Sequence, residues 1–110
     1  MNGLPPDLDL QFLVGRQLEQ LCLGEHHVRL SFDADVSVDI EGEFSLDEVR
    51  HGVRDAHLMH VLLGRSVAKA ERVAPGDLAL EVGSHKLVVH DSNEAYESYA
   101  LQSGTEVTVV

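Results

Sequence analysis

The sequence predicts a mainly β protein (a β-dominated α+β fold) in the form of a small antiparallel barrel or sandwich. It is predicted to contain two pseudo-symmetric β-meander repeats, each preceded by a short helix. The first observation behind this prediction is a repeated motif, because Leu-Val-Gly-Arg at residues 13–16 returns as Leu-Leu-Gly-Arg at residues 62–65. The second is that short runs of alternating apolar and polar residues follow each copy, as strands with one buried face require.

A short helix is predicted at the start of each half. In the first half Asp7 or Asp9 is the candidate N-cap. Gly15 ends this helix, because glycine readily adopts the left-handed conformation that closes helices. In the second half Asp55 is the candidate N-cap and Gly64 is the end. The same order of signals in both halves supports the repeat.

Three strands are predicted in the first half, at residues 16–23, 28–32 and 36–40. The leucines of the first strand are unevenly spaced, which predicts a bulge near residues 19–20. The second and third runs alternate strictly and lie three residues apart, which predicts a hairpin. The inward side chains of the first strand are predicted to be Leu18, Leu21 and Leu23.

The second half repeats the strand series at residues 66–73, 78–82 and 85–90. A polar loop at residues 91–94 and a terminal strand at residues 105–110 complete the chain. Because tight turns connect the strands in order, we expect antiparallel pairing rather than crossover units.

Residues 45–53 allow two interpretations. Ser45 and Glu48 fit a capping box, and apolar residues recur beyond them at the spacing of one helix face. That face comprises Leu46, Val49, Val53, Ala56, His60 and Leu63. The other interpretation is a strand and a turn ending at Gly52, with a shorter helix from Asp55. The long helix is favoured, because two independent signals agree.

Length and charge limit the classes of function. A chain of 110 residues fits a single domain, with repeat halves at about residues 8–53 and 54–110. Lys and Arg number 8 against 19 Asp and Glu, which disfavours binding to nucleic acid or to an anionic membrane. The charge indicates either simple solubility or an acidic face for a basic partner. The single Cys22, the lack of a long apolar run and the lack of a basic leader favour the cytoplasm.

Candidate contact residues lie in two places. Asp33, Asp35 and Asp39 fall on the polar side of the predicted hairpin, where they form either a solvated face or an acidic docking stripe. Tyr96 and Tyr99 combine apolar area with a polar tip, so they form either a contact surface or a structural plug.

The seven histidines are the unusual feature of the composition. His57 and His60 lie three apart on the predicted helix, so they share a face and are candidate metal ligands. The alternative is that His60 is a hydrogen-bonded core or boundary residue. No metal-ligand motif, phosphate-binding loop or serine-nucleophile motif occurs, and Cys22 is expected to be a buried structural thiol. We therefore expect no cofactor, no catalytic residues and no enzyme.

The order of short motifs resembles a family of small bacterial proteins, a domain of unknown function with Leu-x-Gly-Arg repeats and a Tyr-Glu-Ser-Tyr box. The motifs that carry the resemblance lie at residues 12–16, 19–24, 28–32, 36–42, 62–65 and 96–99. The resemblance implies a compact β-rich domain and supplies no activity.

The leading hypothesis is a non-enzymatic protein-interaction module of immunity or regulatory type. Its contact is either the acidic surface or a sheet edge. The terminal strand carries little charge, and an unprotected edge invites pairing with another chain, so a homodimer is expected. The alternative is a domain that binds a metal or a small ligand through the helix histidines.

Overall fold

The computed structural model describes residues 9–73, 76–90, 99–103 and 106–109. Within these residues the chain forms ten strands and two 3-10 helices. The helices span Leu10–Leu13 and Val53–Leu62. The strands are β1 (Leu18–Leu23), β2 (Val28–Phe32), β3 (Val36–Ile40), β4 (Phe44–Leu46), β5 (Val49–His51), β6 (Val67–Val73), β7 (Asp77–Val82), β8 (His85–Val89), β9 (Tyr99–Ser103) and β10 (Glu106–Val109). Asp7, Tyr96 and the predicted loop at residues 91–94 lie outside the described residues.

The strands form two five-stranded antiparallel sheets, which confirms the mainly β fold class. The first sheet has the order β1-β2-β3-β9-β10, and the second has the order β5-β4-β8-β7-β6. Three strands of each sheet form a meander, whereas the other two come from the opposite half of the sequence. The hairpin β4–β5 pairs with β8, and the hairpin β9–β10 pairs with β3. Strand β9 was not predicted from the sequence.

The two copies of the repeated motif meet in space. The N–H of Gly15 donates to the carbonyl of Val67, and the N–H of Gly64 donates to the carbonyl of Leu18, both at 2.8 Å. Each bond becomes the other when the residue numbers are shifted by the 49-residue spacing of the motif. A second pair of 2.8 Å bonds shows the same exchange, from Leu18 to Arg65 and from Val67 to Arg16. These bonds join the two sheets at one corner, while duplication of the whole half stays a prediction.

Both sheets and both helices contribute side chains to one buried apolar cluster. The longer helix contributes its residues at a spacing of three, and the buried ones are Ala56, Met59 and Leu62. This spacing follows from the three residues per turn of a 3-10 helix. The prediction that His60 faces the core is wrong, because it assumed α-helical spacing and His60 is exposed.

The prediction of a long helix across residues 45–53 is wrong, and the alternative of a strand and a turn is correct. Asp47 and Glu48 have φ angles of 50° and 74° and form the turn between β4 and β5. The N–H of Asp47 donates to the carbonyl of Lys86 at 2.8 Å. Because β4 also pairs with β8, the hairpin makes backbone hydrogen bonds to the second sheet that a helix here would not make.

The cap prediction holds in the first half and not in the second. The carboxylate of Asp9 accepts a hydrogen bond from the N–H of Gln11 at 2.9 Å, as predicted. The predicted cap at Asp55 is wrong, because Gly52 occupies the N-cap position and the helix has no side-chain cap. Asp55 lies within the helix at a kink, with φ −99° and ψ 17°.

The bulge predicted in β1 is confirmed by a register shift between Leu18 and Gln20. An equivalent shift occurs in β6 between Val67 and Lys69. The prediction that Leu23 is buried is wrong, since 56% of it is exposed. Leu23 ends β1, an edge strand of the first sheet, and no strand of the described residues pairs with β1 on its outer side.

Candidate functional site

Two of the three predicted contact aspartates support the fold. Asp33 accepts a hydrogen bond from the N–H of Gln17 at 2.9 Å, and its carboxylate lies 3.8 Å from the guanidinium of Arg16. Asp39 accepts two bonds from Arg29 on the neighbouring strand, at 2.6 and 3.1 Å. The hydrogen bond and the charge of Asp39 raise the pKa of the Arg29 guanidinium. Arginines of the same chain therefore partly offset the charges of both carboxylates.

Asp35 is the member of this group that faces solvent. It lies with Ala34 in the turn before β3, where both have φ angles near 60° (58° for Ala34 and 59° for Asp35). Aspartate and asparagine tolerate this left-handed conformation better than most residues. A test of the acidic surface should therefore use Asp35→Asn, since reversing the charges at Asp33 and Asp39 would also break structural bonds.

The predicted metal ligands His57 and His60 are both exposed on the longer helix. His26 and His27 are also exposed, and with Glu41 they line a surface depression. Nowhere in the described part of the chain do three or more His, Cys, Asp or Glu residues come together as a metal site. The helix pair by itself provides two of the roughly four ligands that zinc takes.

Two other residues singled out in the sequence, Tyr99 and Cys22, lie in the strands of the first sheet. Tyr99 begins β9 opposite Ile40. Cys22 is half-buried opposite Arg29 in the β1–β2 pair, rather than fully buried as expected.

The structure brings together three residues that the sequence analysis did not connect. The Oγ of Ser45 lies 2.7 Å from Nε2 of His90. On the other side of the same ring, Nδ1 of His90 lies 2.8 Å from Oδ2 of Asp77. Ser45 lies on β4, Asp77 begins β7, and His90 directly follows β8. The sequence holds no local signal for this network, because Ser45 and His90 become neighbours only when the β4–β5 hairpin pairs with β8.

The order of donors and acceptors in this network follows from its chemistry. A carboxylate only accepts hydrogen bonds, so Nδ1 of His90 carries the hydrogen that points at Asp77. In the neutral ring Nε2 is then an acceptor, and the hydroxyl of Ser45 donates to it. The side chains of His90 and Asp77 are 14% and 12% exposed, so their contact is well shielded from water.

An arginine lies on the same sheet face as the network. Arg50 is the cross-strand partner of Ser45 in the β4–β5 pair, and directly opposed residues lie on the same face of a sheet. The guanidinium of Arg50 donates to Glu43 at 2.9 Å. The outer face of the second sheet thus carries the network of Ser45, His90 and Asp77, with the Arg50–Glu43 ion pair on the same face.

Asp47 gives the molecule a pH-dependent bond at the turn of the same hairpin. Its carboxylate bonds to His85 at 2.7 Å and accepts the N–H of Lys86 at 2.9 Å. The hydrogen bond to His85, followed by that to Lys86, lowers the pKa of Asp47. A carboxylate with a lowered folded-state pKa adds stability above its unfolded-state pKa of about 3.9, and this stability is lost as the pH falls through the folded-state value.

We expect Asp47→Asn to lower the urea midpoint of unfolding at neutral pH, because asparagine keeps the turn conformation and loses the charge. The difference from the wild type should be present at neutral pH and shrink as the pH falls below about 4. Urea unfolding at a series of pH values measures it. A difference that persisted unchanged into strong acid would contradict the assignment of the charge to this bond.

Each sheet has two edge strands in the described structure, β1 and β10 in the first and β5 and β6 in the second. Backbone hydrogen bonds of the repeated motif join β1 and β6 at one corner, whereas β10 and β5 lie at the opposite ends of their sheets. β5 has three residues and includes Arg50 and His51, whereas β10 has four residues and one charged residue, Glu106. No helix in the described residues is both long and apolar enough to cross a membrane.

No protein-family model, no curated protein and no solved structure matches this chain. The resemblance to a small bacterial family therefore stays a prediction.

Proposed function

We propose that this chain is a protein-interaction module of the bacterial cytoplasm, of regulatory or immunity type, and that it associates with a second copy through β10. The observation that carries the proposal is the position of β10, which ends the first sheet and pairs on one side with β9. Strand Glu106–Val109 thus presents a row of backbone groups to a further strand.

The composition of β10 supports this choice of edge. Natural sheets protect their edges with charged residues, proline, bulges or very short strands. β10 contains one charged residue and no proline, and its pairing with β9 runs without a register shift. β5 is shorter and carries an arginine, so β10 is the less protected of the two.

The net charge of −11 supports a second partner of basic character, which would be attracted by charge complementarity. Asp33 and Asp39 have side-chain partners, whereas Asp35 is exposed and its carboxylate has no ion pair or side-chain hydrogen bond within the described residues. We expect a basic partner captured at low salt to bind Asp35→Asn more weakly.

The test of the edge uses two proline variants, Val107→Pro and Thr108→Pro, with mass in solution and melting temperature as readouts. In an antiparallel pair the backbone groups of successive residues point alternately toward and away from the partner strand. One proline therefore removes an outward N–H, and the other removes a bond to β9. We expect the wild type to have twice the 12.1 kDa mass of the chain.

The variant that keeps the wild-type melting temperature should be a monomer, because it lost only the outward N–H. Truncation after Gly104 should also give a monomer. A wild type that is monomeric at high concentration, or a folded outward-proline variant that stays dimeric, would refute association through β10.

A further inference from the structure

We propose that Ser45 and His90 are catalytic residues for acyl transfer, positioned by Asp77, and that their substrates are small activated carboxylic esters. Ser45 is the nucleophile and His90 is the general base. This activity goes beyond the interaction module, since it lies on the outer face of the second sheet and not at β10. It also departs from the expectation that the chain is not an enzyme.

The two contacts of the His90 ring carry the proposal. The nucleophile-to-base distance is 2.7 Å and the base-to-orienter distance is 2.8 Å. Both lie within the range that proton transfer from a serine requires. The two ring nitrogens are used in the same order as in Ser-His-Asp hydrolases, which are recognised by geometry and role rather than by sequence position.

The burial of the carboxylate strengthens the case for His90 as a base. Asp77 is the buried charged residue of the described structure, and its bond to Nδ1 holds the tautomer in which Nε2 can accept a proton. Asp77 also stabilises the imidazolium that forms when His90 takes the proton from Ser45. Ser45 itself is half-buried, so its hydroxyl is within reach of a small molecule.

The surroundings of Ser45 decide which esters can react. β4 pairs with β5 on one side and with β8 on the other, so its backbone N–H groups are used in the sheet and form no oxyanion hole. Arg50 is opposite Ser45, and its guanidinium is bound to Glu43, so it would have to leave that carboxylate to stabilise the developing negative oxygen. Losing one donor of an oxyanion hole slows hydrolysis by about 100- to 1,000-fold. We therefore infer that esters with a good leaving group, such as aryl esters, are the substrates.

The reaction proceeds in two balanced halves. The Ser45 oxygen attacks the ester carbonyl carbon while His90 takes its proton, and the bond to the leaving alcohol breaks as His90 returns that proton to it. Water then attacks the acyl-serine while His90 takes a proton from the water. The serine oxygen leaves and receives the proton back. The products are one carboxylic acid and one alcohol, and nothing is oxidised or reduced.

The test combines a fluorophosphonate probe with hydrolysis of para-nitrophenyl acetate, using the full chain. We expect one probe molecule per chain, located at Ser45 by peptide mapping. Ser45→Ala should abolish labelling. It should also lower the rate of ester hydrolysis to the background that the seven histidines provide. The matched control is Ser37→Ala, on β3 of the first sheet, which should label and hydrolyse as the wild type does.

Two further variants separate chemistry from folding. Ser45→Cys keeps a nucleophile of similar size and should retain reaction with para-nitrophenyl acetate. Asp77→Asn should lower the maximal labelling rate by about 100-fold, with little change in the probe concentration that gives half of that rate. A folded wild type that is not labelled at Ser45, or a Ser45→Ala variant that hydrolyses the ester at the wild-type rate, would overturn the proposal. Neither outcome depends on whether the chain dimerises.

Discussion

Replacing Phe44 with alanine lowers the free energy of unfolding by about 3–5 kcal/mol. Phe44 is fully buried within the single core cluster, and its ring centre lies 5.4 Å from that of His51. It also lies on β4, through which the first half of the chain pairs with the second sheet. Since small domains are stable by only about 5–15 kcal/mol, this loss should leave the variant close to unfolding. Urea denaturation followed by circular dichroism measures it.

The control for this variant is Leu58→Ala on the longer helix. Leu58 is a large aliphatic residue that is 37% exposed, so its truncation leaves no closed cavity and should cost well under the loss at Phe44, about 1 kcal/mol or less. Equal losses at the two positions would contradict the assignment of β4 to the core and of Leu58 to the surface.

Gly15→Ala and Gly64→Ala each destabilise the fold by about 1–2 kcal/mol. The two glycines have φ angles of +86° and +80°, where a side chain at Cβ crowds the backbone. An added Cβ would meet no atom of a residue beyond the two chain neighbours within 4 Å at either position, so the expected loss arises from local backbone conformation and not from a tertiary clash. Because their backbone bonds are equivalent, we expect the two losses to agree closely.

Gly52→Ala is the matched control, since its added Cβ also meets nothing within 4 Å. Its φ angle of −92° is open to any residue, so we expect a change within about 0.5 kcal/mol. Urea midpoints of the three variants, measured together, test the comparison. A loss at Gly52 equal to those at Gly15 and Gly64 would show that the positive φ angles are not the cause.

Local rules were sufficient for much of the fold. Strands β2 and β3 alternate strictly, and their ends match residues 28–32 and 36–40 of the prediction. The bulge in β1 and the positive φ angles of the two motif glycines also follow from neighbouring residues alone. In each case the signal lies within a few residues, because a strand face or a turn imposes its requirement locally.

The residues between β3 and β6 show where local rules stop. A capping box and an apolar spacing favoured one long helix, yet pairing with β8 makes residues 44–51 a hairpin. The following helix is a 3-10 helix with three residues per turn, which buries Met59 and leaves His60 exposed.

The functional residues divide in the same way. Residue type and short spacing are enough to predict the strand alternation, the glycine turns and the acidic balance. The pairing of Asp39 with Arg29 and the contacts of His90 with Ser45 and Asp77 depend on the tertiary fold. Cross-strand neighbours follow from strand order, and here each sheet takes a hairpin from the other half of the chain.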